Sequence, residues 1–174
     1  TPLTDKLIIS DGYFDSENLA FWDPVRGEYR AYFRDFHNGL PGSGIRGIKT
    51  ATSDDFINWT KGKWLEYPGA TDVHLYTNQV SPYPRAPHIF IGFPLRYIDR
   101  GWVHSTSKLP GLAERKARAN ASPRYGSVVT DGLLMTSRDG LTFRRWGEAL
   151  IRPGLSRANS WTYCDNLISW GMLP

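Results

Sequence analysis

Short apolar and aromatic stretches, each bounded by polar residues or by Gly and Pro, recur along this chain, and the pattern predicts strands joined by turns. The segments "ENLAFWDP" at 17–24, "TNQVSPYP" at 77–84 and "DNLISWGM" at 165–172 each set a polar residue and an Asn ahead of an apolar or aromatic run. Two further segments, "TATSDDFINWT" at 50–60 and "LMTSRDGLTFR" at 134–144, align Ser53 with Ser137, Asp55 with Asp139 and Trp59 with Phe143. Both follow strand-like stretches, "IRGIKTA" and "GSVVTDGLLM". The order is the same each time: Asn segment, second strand, third strand, Ser-x-Asp turn, fourth strand. Asn18 lies 35 residues before Ser53, and Asn78 lies 59 before Ser137. The excess of 24 nearly matches a polar segment at 100–124, which therefore reads as an insertion in the second copy.

The first copy predicts strands at 17–22, 28–35, 45–52 and 63–67. In "WDPVRGEYRAYF", Asp-Pro begins a hairpin turn and Gly27 supplies a positive φ before "EYRAYF" resumes. In the second copy "YPRAPHIFIGF" plays the same part. The Ser and Asp of each repeated turn bond nearby backbone groups, so Asp55 and Asp139 read as structural. The fourth strands fall in "KWLEYPG" and "WGEALIRPG". The insertion has a mildly helical centre at 112–119 and projects as a mobile loop between strands two and three.

Matched four-stranded antiparallel units describe an all-β chain built as β-propeller blades, with a β-sandwich as the rival. Blade 1 covers about 12–69 and blade 2 about 72–154, with the insertion at 100–124. A third blade starts at about 161–174. Two blades and a start do not close a ring and leave blade faces open for self-association. The 174 residues therefore read as an N-terminal fragment of a five-bladed protein of roughly 300 residues.

Composition narrows the function classes. Aromatic residues make up 14% of the chain, enough to supply either packing or sugar-stacking surfaces. The single cysteine, Cys164, excludes an intrachain disulfide and a Cys-based zinc cluster, and reads as a small buried residue. The net charge of +4 does not mark a nucleic-acid binder. Residues 100–124 hold Arg100, Lys108, Arg115, Lys116, Arg118 and Arg124 against Glu114 alone, so the basic excess belongs to one solvated loop. No run of 18 apolar residues marks a membrane span, and "TPLTDKLIIS" does not read as a signal peptide. The expectation is a soluble chain, cytoplasmic or exported after leader removal. His74 and His88 lack partners at metal-ligand spacing, so neither a metal nor another cofactor is expected.

The stretch "FDSENLAFWDPVRGEYRAYFRDF", followed by "IRGIKTATSDDFINWTKGKWLEYPG", resembles the opening blades of the five-bladed propeller glycoside hydrolases of families 43 and 32, and of bacterial proteins similar to family 32. The "NDPNG" and "RDP" segments of the sucrose-cleaving members are absent. The resemblance implies three carboxylates at the mouth of a central funnel, one on the first strand of each successive blade. They would hydrolyse a glycosidic bond by acid/base catalysis. It points to Asp15 as nucleophile or base, Asp72 as the middle carboxylate and Asp165 as the acid. Substrate-binding candidates are Glu17, Asn18, Trp22, Tyr76, Asn78 and Asn166, with Tyr83 and Trp161 as further aromatics near strand ends. Arg34, Arg85 and Arg96 are candidates to hold a carboxylated sugar, with pairing to Asp as the alternative. The expected partner is a carbohydrate. The rival functions are a non-catalytic carbohydrate-binding propeller and a protein-interaction propeller using the basic insertion.

Overall fold

A computed structural model describes residues 3–155, 157–159 and 165–173. Trp161 and Cys164 lie outside the described residues. The first sheet consists of β1 (Leu19–Asp23), β2 (Glu28–His37), β3 (Ile45–Ser53) and β4 (Lys63–Trp64), antiparallel and side by side in chain order. The β1–β2 turn forms where Asp-Pro and Gly27 predict it. The buried Asp23 carboxylate accepts the backbone N–H groups of Val25 (3.1 Å) and Arg26 (3.3 Å). Gly27, at φ +66°, donates to the Asp23 carbonyl at 2.8 Å.

Alternation along β2 and β3 gives that sheet two apolar faces. Tyr32, Ile48 and the nearby Leu65 join the main core with Leu75, Val80, Phe90, Leu133, Met135 and Phe143. On the opposite face Ala31, Phe33 and Ala51 are covered by Ile9 and Trp59.

The second part contains β5 (His74–Leu75), β6 (Ser81–Tyr83), β7 (Ala86–Gly92), β8 (Leu95–Ile98), β9 (Val129–Gly132), β10 (Met135–Ser137) and β11 (Phe143–Arg145). β6, β7, β10 and β11 make a second four-stranded antiparallel sheet, and β5, β8 and β9 a three-stranded one. Gly92 pairs with Met135, Leu95 with Gly132 and Ile98 with Val129. One register thus runs through both ladders, and β7–β8 and β9–β10 are the two arms of one long hairpin. Leu133 N–H donates to the Pro94 carbonyl at 2.9 Å where both arms are interrupted.

The hairpin carries residues 99–128 at its end: a 3₁₀ turn at His104–Lys108, helix α1 at Leu112–Ala121 and a second 3₁₀ turn at Pro123–Gly126. The excursion is longer than the predicted 100–124, and its helix extends past 119. The fourth strand of the second unit also differs from expectation. It is β11, directly after the Ser-x-Asp turn, whereas Leu150 and Ile151 bond back to Gly132.

The two Ser-x-Asp turns share one hydrogen-bond pattern. Ser53 and Ser137 donate from Oγ to Asp55 and Asp139, and each carboxylate accepts the N–H groups two and three residues on. Glu66 bridges the two sheets, donating to the Leu141 carbonyl (3.0 Å) and accepting from Phe143 N–H (2.8 Å). The described chain is therefore all-β apart from the excursion, with antiparallel sheets and no closed ring of strands. Among the described residues no helix is long and apolar enough to cross a membrane.

Candidate functional site

A cleft of about 900 Å³ opens where the segment before β1, the end of β5, the β8–β9 hairpin, the excursion and the 165–167 segment meet. Its size is in the range of cavities that hold a small organic ligand. Three carboxylates line it: Asp15, Glu17 and Asp165. The first two come from the irregular stretch ahead of β1. Asp165 arrives from a segment that runs parallel to β9, bridged to Thr130.

Each carboxylate, or the backbone that carries it, is fixed by a different device. Asp15 forms an ion pair with Arg34, whose side chain is 4% exposed while that of Asp15 is 67% exposed. The buried guanidinium thus anchors a carboxylate that stays open to the cleft. Ser16 donates to the Tyr76 carbonyl at 2.8 Å and ties the same stretch to β5. The Glu17 carbonyl accepts from Asn78 Nδ2 at 3.2 Å. Asp165 Oδ1 accepts from Thr130 Oγ1 at 2.8 Å.

The three repeated asparagines diverge. Asn78 is buried; besides Glu17 it reaches the Tyr32 carbonyl at 3.5 Å and accepts from Val80 N–H at 3.2 Å. It works behind the cleft as a stitch between the two sheets. Asn166 is buried and lines the cleft. Asn18 is exposed, accepts from Arg34 N–H at 3.4 Å and donates to the Phe14 carbonyl at 3.3 Å, outside the cleft lining.

Two more expected site residues stand elsewhere. Asp72 lines a separate cavity of about 120 Å³ with His37, Tyr67 and Arg145, so it does not share the cleft of Asp15 and Asp165. In that cavity burial lowers the pKa of His37, against the opposing pull of Asp72. Trp22 packs on Tyr29, its register partner on β2, with ring centroids 4.9 Å apart, and is not a cleft residue. Tyr76 does line the cleft, but its ring lies under two guanidinium groups, Arg34 at 5.4 Å and Arg46 at 5.3 Å. That contact, not open sugar-stacking surface, is what the Tyr76 face provides.

The arginines also sort differently from expectation. Arg34 is committed to Asp15, and Arg96 makes a bidentate pair with Asp131. Arg85 is exposed and away from the cleft. The cations that do line it are Arg46 from β3 and Arg115, Arg118 and Arg124 from the excursion. Their signal in the sequence was the basic cluster at 100–124, which folds back as a cleft wall. Tyr97 and Tyr125 complete that wall. Among the described residues no group of three His, Cys, Asp or Glu side chains is arranged to hold a metal ion.

No family model matches the sequence, and no curated protein matches it. Among solved structures the chain is similar to an N-acetylgalactosamine deacetylase from F. plautii, crystallised in complex with blood group B trisaccharide. The TM-score is 0.52 at 16% identity, over 84% of this chain and 34% of that one. The likeness is one of fold, and this chain spans about a third of that protein's length.

Proposed function

We propose that this chain is part of a carbohydrate-active β-propeller protein of glycoside hydrolase type, with the two four-stranded sheets as blades and the cleft as the saccharide site. The observation that carries the reading is the meeting of Asp15, Glu17 and Asp165 in one cleft, although some 150 residues separate the two segments. The repeated turns support the blade assignment. The structural neighbour is a carbohydrate-processing enzyme bound to a trisaccharide, which supports the ligand class.

Hydrolysis of a glycosidic bond needs a carboxylic acid to protonate the leaving oxygen and a carboxylate on the other side of the bond, to attack the anomeric carbon or activate a water that does. Asp15, anchored by Arg34 and open to the cleft, suits the role of nucleophile or base. Asp165 takes the acid role: Thr130 occupies one of its oxygens and sets the direction of the other. Glu17 replaces the distant Asp72 as the third carboxylate.

The test compares wild type, Asp15→Asn and Asp165→Asn on a panel of oligosaccharides and aryl glycosides. Reducing-end release and calorimetric binding are measured side by side. The expected result is turnover by wild type, a loss of about 10²–10⁴-fold in each variant, and retained binding. Saccharide binding without wild-type turnover would make the cleft a non-catalytic binding site. Absence of binding across the panel would overturn the carbohydrate reading.

A further inference from the structure

The cleft is two-sided in charge. Against its three carboxylates stand four arginines, and Arg34 already answers Asp15 from behind. Arg46 is the most constrained of the four. Its guanidinium lies over the rings of Tyr97 (5.0 Å), Tyr76 (5.3 Å) and Phe36 (5.6 Å). Its Nε is buried without a hydrogen-bond partner, and no carboxylate among the described residues pairs with it. Burial, and repulsion from Arg34 and Arg124, work against its charge, while Tyr97 and Tyr76 favour it. A half-buried cation in a cleft with other arginines and no carboxylate paired to it is a site that an anion would relieve.

Arg124 supplies the second half of such a site. It is exposed, lines the same cleft and stands over the Tyr125 ring at 5.5 Å. Arg46 from β3, against Tyr97, and Arg124 from the excursion, against Tyr125, thus line one cleft. Arginine carries a planar fork of donors that matches the oxygens of a carboxylate or sulfate in pairs. Lysine, a point charge, would not give that directionality.

From this we infer that the cleft takes an acidic saccharide, its carboxylate or sulfate group held between Arg46 and Arg124. The sugar hydroxyls then face Asp15, Glu17 and Asp165. The inference rests on the saccharide reading above and names its substrate class. It also gives the excursion a role as the wall that recognises the anionic substituent.

Isothermal titration of the 174-residue chain with three probes tests it: an oligogalacturonate, a sulfated galactan oligosaccharide and a neutral galactan oligosaccharide of equal length. One acidic probe is expected to bind at least about tenfold more tightly than the neutral one, with affinity falling as NaCl rises. Which acidic probe wins identifies the group as carboxylate or sulfate. Arg124→Ala and Arg46→Gln should each bring the acidic-to-neutral ratio down about tenfold. Arg124 is exposed, so its variant keeps the wild-type melting temperature and carries the test alone if the Arg46 variant does not fold. Equal binding of neutral and acidic probes overturns the inference and leaves the saccharide reading standing. Binding of none of the three overturns both. A single-stranded oligonucleotide binding as tightly as the better acidic probe also overturns it.

Discussion

Arg96 and Asp131 face each other across β8 and β9 as register partners, joined by two hydrogen bonds: Nε to Oδ1 at 2.9 Å and Nη2 to Oδ2 at 2.7 Å. A third donor, Nη1, reaches the Gly147 carbonyl at 2.9 Å. The pair clamps the hairpin just below the excursion and so holds the base of the arginine wall.

Removing the carboxylate leaves a largely buried guanidinium with one carbonyl partner. Breaking a buried pair from one side costs about 3–5 kcal/mol, and the partial exposure of Arg96 trims this. Asp131→Ala is expected to lower unfolding stability by about 2–3 kcal/mol in urea titration. A loss below about 1 kcal/mol would mean that the clamp is not a structural element.

Gly140 sits at φ +76°, and its carbonyl accepts from the buried Tyr32 hydroxyl at 2.9 Å. A Cβ there would stand 2.7 Å from Arg30 Nη1 and 2.9 Å from a ring carbon of Phe90. Phe90 is fully buried and cannot yield cheaply. Gly140→Ala should therefore cost about 2 kcal/mol or more. Gly27→Ala, at φ +66° with open space around the site, should cost only the backbone strain of about 1 kcal/mol. Equal losses in thermal melts of the two variants would remove the steric half of this account.

The Asp139 turn sets an acid limit. Burial opposes the Asp139 charge, but the N–H groups of Leu141 and Thr142 and the Ser137 hydroxyl outweigh it and hold the pKa at about 2. A depressed carboxylate stabilises the fold above its unfolded pKa of 3.8 and loses that contribution as pH falls toward about 2. Asp139→Ala should cost about 1 kcal/mol at pH 7. The gap from wild type should close between about pH 4 and pH 2. A gap that stays constant down to pH 2, measured by urea unfolding at each pH, would contradict the assignment.

Local chemistry was legible in the sequence. Asp23 and Gly27 mark the β1–β2 turn because their bonding is confined to a few residues, and the Ser-x-Asp repeat works the same way. Asp15, Glu17, Tyr76, Asp165 and Asn166 were likewise readable as site candidates, and the structure brings them to one cleft. What failed was whatever depends on distant packing. Asp72 was assigned by its place upstream of an Asn segment, yet the chain turns it toward His37 and Arg145. Trp22 looked like a sugar platform, but alternation along β1 sends it onto Tyr29. The excursion's arginines read as a solvated loop because nothing local shows that Arg46, about 80 residues earlier, lines the same cleft as Arg124.

The unbroken register from Gly92–Met135 to Ile98–Val129 has an evolutionary consequence. It ends at the threshold of residues 99–128, so the sheets beneath are complete without that cassette. Surface excursions on a finished ladder accept changes in length and sequence at little cost to the core. The scaffold can therefore exchange this one module while the ladders beneath it keep their register.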